Sequence, residues 1–207
     1  MTRTTDRKPS LAFALALLLA GLLGAAPLPA AGKRFFAGAA CGYFYPGQEA
    51  FREVYDRPAW PLELRLGWAP NGRLDLWGGA RYLRVAGNTV PLAAAHPEET
   101  YPVRLQVLAL RLGSSFWLGR GRIAPFVGAG AQYAFFQEKW TGLPIETRGN
   151  KAGFFAQAGT RFSLGRDLSA TLHLEYSFLP AGKGSALAEK VDLGGLGLAL
   201  GVRAAIF

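Results

Sequence analysis

Residues 168–178 read Leu-Ser-Ala-Thr-Leu-His-Leu-Glu-Tyr-Ser-Phe. Leu168, Ala170, Leu172, Leu174, Tyr176 and Phe178 share one parity, and Ser169, Thr171, His173, Glu175 and Ser177 share the other. A period of two places successive side chains on opposite faces of a strand, so one face meets an apolar phase and the other a polar one. The alternation marks eight segments, at about 34–45, 61–69, 73–85, 102–118, 122–137, 152–164, 168–179 and 191–207; none has helical periodicity over a comparable length. Pro70-Asn71-Gly72, Gly119-Arg120-Gly121 and Gly165-Arg166-Asp167 predict tight hairpin turns built from residues that tolerate positive φ. Segments 46–60, 86–101, 138–151 and 180–190 predict longer loops. Short turns on one side, long loops on the other and an even strand count predict an all-β fold, an eight-stranded antiparallel up-and-down transmembrane barrel. The turns and both ends of the mature chain would then lie in the periplasm.

The parity split repeats along the chain. Leu62, Leu64, Leu66 and Trp68 oppose Glu63, Arg65 and Gly67; Leu74, Leu76, Ala80 and Tyr82 oppose Asp75, Trp77, Gly79 and Arg81; Phe154, Ala156, Ala158 and Phe162 oppose Gln157, Gly159, Arg161 and Ser163. A secreted, lipocalin-like carrier would instead turn its apolar face inwards around a ligand. Two features argue for lipid outside. Lys139, Lys151, Lys183 and Lys190 fall in the predicted loops and Lys33 precedes the first strand, whereas a water-exposed sheet face would carry several lysines. Aromatics also sort into two belts, as at membrane interfaces: Tyr43, Tyr45, Tyr82, Tyr133, Phe135, Tyr176 and Phe178 at the loop ends, and Trp68, Phe116 and Phe162 at the turn ends.

Two strands depart from the pattern. In 102–118 the apolar positions are first Val103, Leu105 and Val107, then Leu108, Leu110 and Leu112, a change of phase that predicts a β-bulge near residue 107. In the last strand Leu196, Leu198, Leu200, Val202 and Ile206 share a parity that Phe207 does not.

Half of the 207 residues are apolar and only 18% are charged, a composition that leans towards a membrane. Arg3, Arg7 and Lys8 precede an apolar run from Leu11 to about Ala26, followed by Pro27, Pro29 and small residues. Such a run is too short to span a bilayer and reads as a secretory signal peptide over 1–31, cut near Ala31, with the barrel over 32–207. Without residues 1–31 the net charge falls from +9 to +7, 20 basic against 13 acidic residues; the arginines are spread singly through strands and turns without a Lys/Arg cluster on one element, and together with export this argues against nucleic acid. Cys41 has no partner for an internal disulfide and reads as a small apolar strand residue.

The stretch Ile123-Ala124-Pro125-Phe126-Val127-Gly128-Ala129-Gly130-Ala131-Gln132-Tyr133 resembles the Pro-aromatic-Val-Gly-Ala-Gly segment of the outer-membrane β-barrel family that includes OmpA-like and OmpX-like eight-stranded domains. The final Gly201-Val202-Arg203-Ala204-Ala205-Ile206-Phe207 is similar to that family's carboxy-terminal strand. The resemblance implies outer-membrane lipid as the surroundings, and insertion by the outer-membrane assembly machinery, with Phe207 as the assembly signal. The family's terminal aromatic usually keeps phase with apolar residues two, four and six back; here Ala205, Arg203 and Gly201 stand there.

The polar parity assigns to the lumen Glu63, Arg65, Asp75, Arg81, Arg111, Gln132, Gln157, Arg161, His173, Glu175 and Arg203. Charges in so narrow an interior must pair or be hydrated, so a salt-bridge network that fills the barrel is expected rather than a narrow channel. Some eight-stranded barrels act on lipid A or phospholipid, and His173, Glu175 and Ser177 offer a base, a carboxylate and a nucleophile. Their parity turns them inwards, away from a lipid substrate, and residues two apart on a strand line up rather than converge. No catalytic, cofactor-binding or metal-binding residue is therefore assigned. Gly182-Lys183-Gly184-Ser185 lacks the Lys-Ser adjacency of a phosphate loop, and His96 stands alone. In the 46–58 loop, Phe51, Val54 and Tyr55 share one face of a short helix, expected to pack across the barrel mouth. The alternative use of such loops is contact with an extracellular partner. The reading is a structural or surface-interaction protein, non-catalytic, with a lipid-modifying enzyme, a narrow channel and a soluble carrier as alternatives.

Overall fold

The computed structural model describes residues 35–55, 59–89, 100–180 and 192–206. The signal segment and its cut, Lys33, His96, the Gly182–Ser185 run, Lys190 and Phe207 lie outside them. Eight strands follow in order: β1 (Phe35–Pro46), β2 (Leu62–Asn71), β3 (Leu74–Thr89), β4 (Tyr101–Trp117), β5 (Ile123–Trp140), β6 (Glu146–Ser163), β7 (Leu168–Phe178) and β8 (Gly195–Ala205). A short helix, α1 (Glu49–Val54), sits between β1 and β2. Every strand pairs antiparallel with its chain neighbours, and β8 returns to β1 from Phe36↔Ala205 to Pro46↔Gly195, which closes the barrel. Closure leaves no unpaired strand edge, the condition for a sheet to sit in hydrocarbon.

Alternation sets the two surfaces. Leu66, Leu110, Leu112, Leu172, Leu174, Leu198 and Leu200 face outwards and are exposed, as are Tyr43, Tyr45, Trp68, Phe116, Tyr133, Phe135, Phe162 and Tyr176. Tyr82 and Phe178 have the same outward parity and are half-buried.

Three expectations about local structure are corrected. Strand β4 contains no bulge near residue 107, because its register runs unbroken from Leu74↔Phe116 to Thr89↔Tyr101 on one side and from Trp117↔Phe126 to Val103↔Trp140 on the other. Val103, Leu105 and Val107 simply point inwards, into an interior that has become apolar at that height. Segment 138–151 is not a long loop. Strands β5 and β6 pair on to Lys139↔Glu146 and leave only 141–145 as a connector, so Lys139 and Lys151 stand on strands. Lys139 mimics loop character because a strand that rises beyond the apolar belt needs polar residues on its outward face, whereas Lys151 has the inward parity of Phe155 and is half-buried near the mouth. Finally, the tight turns do not use left-handed backbone: among the described residues only Gly142 has positive φ, at 89°. At the β2–β3 turn the Asn71 side-chain oxygen accepts from the backbone N–H of Arg73 at 2.9 Å and Leu74 at 2.8 Å, an Asx turn that serves instead.

Candidate functional site

The barrel interior has two layers. At the loop end, Phe44, Leu83, Val85, Val103, Leu105, Phe136 and Trp140 turn inwards from the wall and pack against Phe51 and Tyr55 of the α1 segment. Phe51 is only 1% exposed. The helix lies across the mouth because Gly87 on β3 has no side chain: a Cβ there would stand 1.8 Å from the Val54 carbonyl oxygen. The Tyr55 hydroxyl donates to Glu138 at 2.7 Å, and the Trp140 indole donates to the other oxygen of that carboxylate at 3.0 Å. Burial, and then the charge of Glu138, push the Tyr55 phenol above its ordinary pKa, so it keeps its proton.

Below this plug the interior is ionic. Arg111, on β4, donates to Glu63 of β2 at 2.7 Å and to Glu175 of β7 at 2.6 Å, bridging the barrel. Arg65 holds the other oxygen of Glu63 at 2.5 Å, and Arg81 the other oxygen of Glu175. Each carboxylate is therefore shared by two guanidiniums. Arg65 continues to Gln157 at 3.0 Å, and the Gln157 amide and the Trp77 indole both donate to the Ser115 hydroxyl at 3.1 Å. Aromatic faces complete the layer: Arg65 lies 4.2 Å over Trp77, and Arg111 lies 3.8 Å over Phe155.

A smaller group closes towards the turns. Asp75 accepts from both terminal nitrogens of Arg203 and, at 2.8 Å, from the Trp117 indole. Arg161 stacks 4.2 Å over Trp117 but makes no hydrogen bond or ion pair among the described residues. Gln132 is buried opposite Arg111 on β5 and, among the described residues, likewise stays outside the network. A cavity of about 50 Å³ separates the two groups, bordered by Arg65, Asp75, His173 and Arg203, with room for a few waters.

His173, Glu175 and Ser177 are buried and point inwards. They do not form a relay. Glu175 is engaged by two arginines, and Ser177 donates, at 3.5 Å, to the Gly195 carbonyl. The Nε2 atom of His173 lies 3.4 Å from Arg65, which can only donate, and Nδ1 has no hydrogen-bond partner among the described residues. Glu63, His173 and Glu175 bring ligand-type atoms within 4.8 Å of one another, but a divalent cation there would have to displace Arg111 from both carboxylates. The interior aromatics Trp117, Phe126, Phe155 and Phe36 are not singled out by the sequence reading. Their signal is parity: each stands on the inward, polar-parity face of its strand.

The closed eight-stranded barrel with an apolar exterior and a charged interior is the fold of small outer-membrane barrel proteins. It is similar to neisserial surface protein A (13% identity, TM-score 0.56), covering 83% of this chain and 96% of that one. It is also similar to the outer membrane protein OprG from Pseudomonas aeruginosa (11% identity, TM-score 0.62; 83% and 95% covered). A major outer membrane protein from Thermus thermophilus matches with 13% identity and a TM-score of 0.54, over 82% of this chain and 98% of that one. No protein-family model matches the sequence, and neither does any curated protein sequence.

Proposed function

We propose that the protein is an integral outer-membrane barrel with a structural or surface-interaction role, acting without catalysis or conduction. The short turns and both termini lie in the periplasm and the loop end faces outwards. The last strand, with Phe207, is read by the outer-membrane assembly machinery. The observation that carries this reading is the doubly filled interior. An aromatic plug at the mouth and an arginine-carboxylate layer beneath it occupy the space that a pore would need, while the outward face is a belt of aliphatic and aromatic side chains. OprG and the Thermus thermophilus protein, both outer-membrane proteins, share the fold, which supports the same surroundings.

The expected outcome is recovery of the protein with outer-membrane vesicles, heat-modifiable migration on a gel and no steady single-channel current in planar bilayers. Recovery in the soluble periplasm would sink the membrane assignment, and a stable current would sink the closed interior. Against the enzymatic alternative, a gene deletion should leave lipid A and phospholipid acylation unchanged. A change rescued by wild type but not by His173→Ala would overturn that part.

A further inference from the structure

The outward surface is not uniform around the barrel. On β3–β6 the strands rise past the aromatic belt, and register fixes which residues stand in each row. The row Tyr82↔Leu108↔Phe135↔Asn150 lies at the top of the belt. Above it comes Arg84↔Gln106↔Gln137↔Arg148, and above that Ala86↔Arg104↔Lys139↔Glu146. Four cations thus share this half of the rim with one carboxylate, Glu146, which is already engaged by Arg148 and by Gln137 at 2.8 Å. Arg84, Arg104 and Lys139 are exposed and make no ion pair among the described residues. Between the two lower rows the wall is hollowed into a groove of about 640 Å³. Leu108 and Phe135 form its apolar side, and Tyr82, Gln106, Gln137 and Arg148 its polar side. The opposite half of the rim differs: the outward residues at the loop ends of β1, β7 and β8 are Tyr43, Tyr45, Tyr176, Phe178 and Leu196, none of them charged.

We propose that this rim on β3–β6 is a binding site for a phosphorylated lipid headgroup of the surrounding leaflet. The acyl chains would lie on the apolar wall below, the groove would take the polar neck of the lipid, and Arg84, Arg104 and Lys139 would meet the phosphates. The site rests on the reading that the barrel spans a membrane. A water-facing surface would have no reason to set a row of cations directly above an outward aliphatic and aromatic wall. A bilayer has one, because anionic headgroups lie just beyond the hydrocarbon and attract basic side chains there. The one-sidedness follows from strand length. Among the described residues only β3–β6 carry sheet beyond the belt, so only there can rigid backbone hold cations at that height.

The test uses the refolded barrel in nanodiscs of phosphatidylcholine containing a minority of bis-phosphorylated lipid A, with retained lipid read by native mass spectrometry. Wild type is expected to retain lipid A in preference to phosphatidylcholine. Replacing Arg84, Arg104 and Lys139 singly by Ser should weaken that preference on the order of fivefold for each cation removed. Arg120→Ser and Arg122→Ser, at the turn end, should leave it unchanged. An equal loss from the turn-end variants would reduce the effect to net charge and overturn the site, as would full retention in the rim triple variant. Displacement of the lipid by inorganic phosphate at matched phosphate concentration would overturn the lipid assignment. Heat-modifiable migration of each variant shows that it is folded. Failure of wild type to insert into phosphatidylcholine alone would strike the membrane reading, whereas insertion without lipid preference would strike only the site.

Discussion

The mouth and the middle of the barrel are built on the same inward parity and are buried to the same degree, yet they are filled by opposite chemistries. Phe51, at 1% exposure, represents the mouth; Arg111, at 3%, represents the middle. The apolar layer is held by many small contacts, so its loss on mutation should scale with the volume removed. The ionic layer is held by a few directional ones, and its response depends on which partner is taken. Three guanidiniums, Arg65, Arg81 and Arg111, surround two carboxylates, Glu63 and Glu175. Removing an arginine and removing a glutamate are therefore not equivalent.

The largest expected effect is Glu175→Gln. It leaves Arg81 and Arg111 with one charged partner fewer in a buried layer, and breaking such a group typically costs about 3–5 kcal/mol. Arg111→Met should cost no more than about 2 kcal/mol, since Arg65 still pairs with Glu63 and Arg81 with Glu175, and Met fills similar volume over Phe155. Urea midpoints of the refolded barrel in detergent, compared at one slope, check both values. Equal losses from the two variants would break the comparison. Between these two in size is Phe51→Ala, expected to cost about 3 kcal/mol by emptying the centre of the plug. It should also admit a small water-soluble quencher to Trp140, whereas Glu175→Gln should not. A variant that loses stability without gaining access would show that α1 is not the lid of the mouth.

The two layers also differ in how far the sequence discloses them. The charged residues are legible because strict alternation sets Glu63 and Arg65 against Leu62 and Leu64, and His173 and Glu175 against Leu172 and Leu174. Strand number, order and antiparallel closure follow from the same alternation. The apolar layer is hidden by it. Along Val103–Leu112 the apolar face changes from inward, with Arg104 and Gln106 outside, to outward, with Arg111 inside; a change in what fills the interior then looks the same as a shift of phase, and the pattern predicts a bulge where none exists. Glu138 escapes notice for the converse reason: its charge places it in a predicted loop, while β5 carries it into the mouth to meet Tyr55 and Trp140. The pairing of Arg111 with two particular carboxylates joins β2, β4 and β7, and such cross-barrel choices have no local signature.

The contact between Tyr55 and Glu138 gives the finest test, because it places one ionic feature inside the apolar layer. Tyr55→Phe removes a hydrogen bond to a buried carboxylate and keeps the ring, so the expected loss is about 2 kcal/mol by urea midpoint at neutral pH, smaller than for Phe51→Ala. The proton on Tyr55 adds a pH signature. The folded phenol titrates above the ordinary value of 10.0, raised by burial and then by Glu138. Its contribution is therefore complete below pH 10 and shrinks above it, as the unfolded chain ionises while the folded one does not. Phe cannot ionise, so the stability gap between wild type and Tyr55→Phe should be constant from pH 7 to about 9.5 and narrow above 10. A gap that begins to close near neutrality would show that the Tyr55 phenol is not the group whose ionisation sets it.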